Sequence, residues 1–459
     1  MDSHQYAVQK LAEKVNTKAI TLQHLAGDIA RRSTAVQEKC NAFINFDRQM
    51  LEKGVDNLQQ KIDQNKSLPL AGVPFTLSDA ICAAGTVTTC ASRIMGSYKP
   101  PLEATVAQRL KECGAILVGK TNMDEFNLGT AGKNSLFGEI KNPWDKQYTA
   151  GSGAAAAVSG QAASVALAAD GCGELRQAAS YCGLTSLKPT YGRVSRKGLV
   201  DSAPSLEQIG LIAPTVTDLA AVLEHISGYD AGDPTSFRHE VPVYISLLDG
   251  EEDQALKVAV PENWAETPYL EQGIKEAFIS AQENLKVKGF QVETVAMPNF
   301  FHSLVTTTII RAVETFSSLS NYDGVRFGLR AEGGSNLQEM YRKSRTEGFG
   351  SRVKQFITFG SLISAGKYYD QVFQKAQKMR TLIIKELEKC LEAYDLLFIP
   401  TVPFAAPLHV NDNEGGFLPD PAGYYTAAAN LAGLPAVSFP MPAETAPSGS
   451  AGMQFIGKA

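Results

Sequence analysis

The feature that most constrains this chain is a run of small residues, Ala150-Gly-Ser-Gly-Ala-Ala-Ala-Ala-Val158, inside a Gly/Ala-rich stretch that extends to Gly173. Such a run has two physical readings. It is a helix pressed closely against a sheet, or a loop that leaves room for a bound molecule before that helix begins. The first reading needs a sheet nearby, and the flanking sequence offers strands for one. Leu70-Ala-Gly-Val-Pro-Phe-Thr-Leu77 reads as a strand entering a turn. Val106, Leu110 and Cys113 mark a helical face, and Ala115-Ile-Leu-Val118 is a short apolar run of the kind buried on both sides.

The same alternation continues along the chain. Thr21 caps a helix carrying Leu22, Leu25 and Ile29 that ends near Asn41. Thr215 and Asp218 open another, with Leu219, Leu223 and Ile226 on its face and Gly228 as its stop. A long helical stretch over 371–391 precedes Leu396-Leu-Phe-Ile399, a central-strand pattern closed by Pro400. The predicted fold class is therefore a single α/β domain, a central mixed β-sheet covered by helices on both faces. Residues 1–66 read as an N-terminal helical segment packing on the core, and 67–459 as one compact unit.

Composition narrows the function. With 43 Lys+Arg against 48 Asp+Glu and no long block of like charge, the chain is expected to make no direct contact with nucleic acid or anionic lipid unaided. No apolar run approaches the roughly 20 residues that span a bilayer, and no basic-then-apolar leader opens the sequence, so the expectation is a cytoplasmic protein with no membrane contact. The seven cysteines are scattered without a CxxC pair, which suits reduced thiols, and the histidines, from His4 to His409, are too dispersed for a metal site. No cofactor is expected, since Gly173 and its neighbours form neither GxGxxG nor a Walker loop.

Several longer strings then carry a resemblance. Gly119-Lys-Thr-Asn-Met-Asp-Glu-Phe126, Leu187-Lys-Pro-Thr-Tyr-Gly-Arg-Val-Ser195, Ser205-Leu-Glu-Gln-Ile-Gly210, Asn430-Leu-Ala-Gly-Leu-Pro435 and Gln454-Phe-Ile-Gly457 resemble the amidase signature family, and several are similar to its tRNA-dependent amidotransferase A-subunit branch. That resemblance implies a Ser–cis-Ser–Lys apparatus. A deprotonated lysine draws a proton through a bridging serine from the nucleophilic serine, while backbone N–H groups hold the oxyanion.

Position by position, the apparatus is substituted. The family's lysine falls on Ser78 in Leu77-Ser-Asp79. The bridging serine falls on Ala150, and the nucleophile falls on Glu174 in Asp170-Gly-Cys-Gly-Glu-Leu-Arg176. Ser152, two residues beyond the bridge, is the one hydroxyl that a shifted loop would offer instead. The oxyanion turn corresponds to Gly171, Cys172 and Gly173. The positions that hold a substrate's α-carboxylate and α-amino group correspond to Phe356 and Gly423, and a pocket serine to Thr130. Bidentate carboxylate capture at Phe356 is therefore lost. The family's terminal helix is expected to be missing after residue 459.

Three functions follow from this pattern. The first is a pseudo-amidase without intact catalytic residues, acting as a binding, regulatory or structural protein. It would partner B- and C-type amidotransferase subunits or form a homodimer. The second is an active A subunit supplying ammonia for the transamidation of glutamyl-tRNA(Gln). The third is a hydrolase of another amide, its site rebuilt around Glu174 and Cys172.

Overall fold

The computed structural model describes residues 7–64, 66–248, 256–409, 419–440 and 452–459. Its centre is one sheet of eleven strands: β1 (Phe43–Phe46), β2 (Pro74–Ser78), β3 (Ile116–Thr121), β4 (Val165–Asp170), β5 (Thr185–Lys188), β6 (Gln208–Ala213), β7 (Lys257–Pro261), β8 (Gln291–Val295), β9 (Leu396–Pro400), β10 (Ala436–Pro440) and β11 (Gly452–Ile456). They lie side by side in the order β1-β3-β2-β4-β6-β5-β10-β11-β9-β7-β8. The strands β3, β2 and β4 run parallel, as do β8, β7 and β9, and the remaining pairs are antiparallel. The sheet is mixed, as the alternation of helix and strand predicts.

Central strands are buried along their whole length, because helices cover both faces. Above one face lies an apolar cluster that includes Leu25, Ile29, Ala155 and Ala179, and below the other a cluster that includes Phe75, Leu167 and Val222. The edge strand β8 is largely exposed and has no apolar run to announce it. The first 66 residues are more than a helical cover: β1 pairs antiparallel with β3, and the Val8 N–H donates to Asp218 Oδ1 at 2.8 Å.

The small-residue run resolves in favour of packing. Helix Gly153–Ser159 is buried from Gly153 to Val158. A Cβ on Gly153 would come within 2.1 Å of the Ala42 carbonyl, and one on Gly160 within 2.4 Å of Val36. The turn before the helix leaves no free space either, since Gly151, at φ +73°, is pressed against Ala178 and Tyr181.

Candidate functional site

Strand β4 ends at Asp170 and the chain turns sharply into helix Glu174–Tyr181. Gly173 makes the turn at φ +107°, and any Cβ there would sit 2.1 Å from Thr426 Oγ1, so only glycine fits. Asp170 holds the turn from within. Its carboxylate accepts from the Gly173 N–H at 2.9 Å, from Arg176 at 2.9 and 3.1 Å, and from Asn430 at 2.9 Å. Arg176 in turn reaches Gln454, Asn430 and the Thr426 carbonyl.

Glu174, the first residue of the helix, folds back over the same turn. Its Oε2 accepts the Gly171 N–H at 2.9 Å and the Cys172 N–H at 2.8 Å. A helix N-terminus favours negative charge at this place. The other oxygen forms an ion pair with the Arg311 guanidinium, both side chains being buried. Arg311, on helix Ser303–Ser318, also donates to the Asn127 carbonyl and lies 3.5 Å from Glu207. Burial pushes the Glu207 carboxyl up to about 7, with Arg311 opposing that rise. Burial, and then the neighbouring Glu174 charge, push the Cys172 thiol far above its usual range.

Ser78 and Ala150 are engaged in other contacts. Ser78 ends β2 and its hydroxyl donates to the Met123 thioether at 3.2 Å. The amine of Lys120 on the neighbouring strand is committed to Asp79 at 3.1 Å and Thr88 at 3.0 Å. Ala150 is packed with Ala178 and Cys182 in the apolar cluster above the sheet, and its carbonyl accepts from the Cys182 thiol. Ser152 caps helix Gly153–Ser159, accepting from the Ala155 N–H at 3.3 Å. Its hydroxyl is engaged in that cap.

Around Glu174 lies a cavity of about 20 Å³, room for roughly one water. Thr130, Cys172, Arg311, Phe356 and Gly423 line it with Glu174, and so do Arg352 and Asp420. Phe356 is part of that lining, and the Arg311 and Arg352 guanidiniums lie over its ring at 5.8 and 5.5 Å. Asp420 accepts from Thr130 Oγ1 at 2.7 Å.

A family model described as Amidase matches residues 26–459. The chain belongs to the amidase signature family. It is 37% identical over 446 residues to the A subunit of glutamyl-tRNA(Gln) amidotransferase from Desulfatibacillum aliphaticivorans, covering 96% of this chain and 91% of the relative. It is 38% identical over 448 residues to the corresponding A subunit of Halothermothrix orenii, covering 96% and 91%. Among solved structures, the A subunit of the Thermotoga maritima amidotransferase aligns at a TM-score of 0.75 and 33% identity, over 100% of this chain and 92% of that one. The fold alone is shared with a 6-aminohexanoate cyclic dimer hydrolase, TM-score 0.83 at 24% identity, covering 100% and 94%.

Of the residues that family resemblance singles out, Glu174, Cys172, Thr130, Phe356 and Gly423 meet at one cavity, while Ser78 and Ala150 are not among its lining residues. Sequence reasoning gives the pocket no charges to replace those absent from Phe356 and Gly423, and here the structure differs. Arg352 enters from one helical turn before Phe356, and Asp420 from three residues before Gly423. The i, i+4 spacing of Arg352 is a legible signal. Arg311 carries none, because its approach to Glu174 is set by packing between distant segments. Among the described residues no group of three or more His, Cys, Asp or Glu is placed to hold a metal, and no helix is long and apolar enough to cross a membrane. His4 lies outside those residues.

Proposed function

We propose that this amidase-signature chain is an A-subunit-like protein that does not hydrolyse amides and works as a binding or structural component, with B- and C-type amidotransferase subunits or a second copy as partners. One observation carries the reading: the Glu174 carboxylate already sits on the Gly171 and Cys172 N–H groups. Those donors belong to the turn that would stabilise an oxyanion, and a bonded carboxylate leaves them nothing to offer a substrate. The Arg311 pair anchors that carboxylate, and a space of about 20 Å³ does not admit an amide side chain.

No activated nucleophile stands nearby. Among the described residues the Ser78 hydroxyl bonds the Met123 thioether and no base, and the Cys172 thiol stays protonated, which argues against a rebuilt thiol hydrolase. The relatives favour the second reading, because identities of 37–38% over 96% of the chain are to proteins named as the A subunit of glutamyl-tRNA(Gln) amidotransferase.

A glutaminase assay separates the two, run on the purified chain alone and with B and C subunits. The expected result is no ammonia release above the uncatalysed background. Turnover near 1 per second, an ordinary enzymatic rate, would establish the second reading. Restoring Ser78→Lys, Ala150→Ser and Glu174→Ser together should recover little activity, because Phe356 and Gly423 still line the cavity without the charges that would hold a substrate. Adding Gly423→Asp is obstructed as well: a Cβ there meets Cys172 Sγ at 2.8 Å.

A further inference from the structure

A second and much larger cavity, of about 790 Å³, lies apart from Glu174 and shares none of the small cavity's lining residues. Its volume is that of pockets that enclose small organic ligands. Ile94 and Met95 form part of the floor and belong to a buried apolar cluster. Val200 and Leu329 extend that apolar surface, and the rings of Tyr98, Tyr322 and Phe327 complete it.

The walls are built rather than incidental. The Leu329 N–H donates to the Ile94 carbonyl at 2.7 Å, and the Tyr98 N–H to the Met95 carbonyl at 2.8 Å. Tyr322 is braced edge-on by Phe126 at 5.6 Å. Asp323 holds the loop before Phe327 by accepting from the N–H groups of Val325 and Arg326. That loop leaves Phe327 57% exposed at the mouth, a large ring with an open face beside the cavity.

The polar side chains of the lining are weighted toward donors. The Arg93 guanidinium has no partner among the described residues, although it stands at the cavity. Arg326 stands there too, its guanidinium paired among the described residues only with Asp323, at 3.0 Å. The phenol groups of Tyr98 and Tyr322 have no hydrogen-bond partner among the described residues, and burial pushes both pKa values up, so each keeps its proton to donate. An apolar aromatic floor with guanidinium and phenol donors complements a molecule with an apolar body and an anionic head.

We propose that this cavity binds a small aromatic carboxylate, its ring against Ile94, Met95 and Phe327 and its carboxylate at Arg93. The inference does not depend on whether the chain hydrolyses amides. It is tested by calorimetric titration of the full chain with 1-naphthoate and with the uncharged 1-naphthamide. The expected result is one site per chain and naphthoate bound at least about tenfold tighter, the worth of a charge-assisted hydrogen bond.

Arg93→Gln should remove that preference while leaving naphthamide binding as it was, and Phe327→Ala should weaken both ligands. Both side chains are exposed and neither is bonded into the core, so the variants fold. Glu174→Gln should change neither affinity, which separates this cavity from the family's site. Absence of saturable binding, equal affinity for the two probes, or an Arg93→Gln variant that keeps the preference would overturn the proposal.

Discussion

Two buried charge clusters flank the first turn of helix Glu174–Tyr181, and they are made differently. In one, Asp170 and Arg176 are saturated by each other and by Asn430, Gln454 and the Thr426 carbonyl. In the other, Glu174 and Arg311 meet above the turn, and Arg311 Nε is buried with no hydrogen-bond partner among the described residues. A fully satisfied network rigidifies its turn, whereas a buried donor left unpaired leaves the second cluster less completely held. Arg311 has a second carboxylate, Glu207, at 3.5 Å, so the second cluster has a fallback that Arg176 lacks among the described residues.

The largest test of this contrast is Asp170→Asn. It strands a fully buried Arg176, and removal of one partner from such a pair should cost roughly 3–5 kcal/mol, read from the urea midpoint. A loss under about 1 kcal/mol would mean that the network is not what holds the turn. Glu174→Gln should cost less, about 1–3 kcal/mol, because its amide oxygen still accepts from the turn and Arg311 keeps Glu207. If the two substitutions cost the same, the distinction between the clusters fails.

A weaker effect concerns pH. Burial raises the Glu207 carboxyl from its usual 4.5 to about 7, so the native state holds this proton more tightly than the unfolded chain does. Stability should therefore fall with rising pH between about 4.5 and 7, and level off above. Glu207→Gln should flatten that slope in unfolding measured at several pH values, and an unchanged slope would remove Glu207 from the account. Glu125, likewise raised to about 7 mainly by burial, leaves a residual slope in the variant. The smallest expected effect is Ser152→Ala. Loss of one helix cap should cost about 0.5–1 kcal/mol in the same assay, and a larger loss would point to a role for Ser152 beyond capping.

The sequence made the fold legible wherever a pattern is local. Thr215 caps its helix by accepting from the Asp218 N–H at 3.1 Å, and Asn41 closes helix Leu22–Cys40 in the left-handed conformation. Leu396–Pro400 is the strand that its apolar run announces. The exposed strand β8 is not legible, because Val292 and Val295 are its only apolar residues and they fall on opposite faces. At the site, Glu174, Phe356 and Gly423, which the resemblance singles out, line one cavity. What could not be placed is convergence: Arg311 lies 137 residues from Glu174 along the chain, and no local spacing encodes that meeting.

The tie between Arg176 and Gln454 joins residues 278 apart, and the tie to Asn430 spans 254. During synthesis, the turn below Glu174 has to wait for strand β11 before its arginine finds all its partners. Contacts of such separation slow folding and expose the chain while they are pending. An arrested nascent chain stopped short of residue 454 should therefore carry an open, protease-sensitive turn at 171–173, closing only when the last strand slots between β9 and β10.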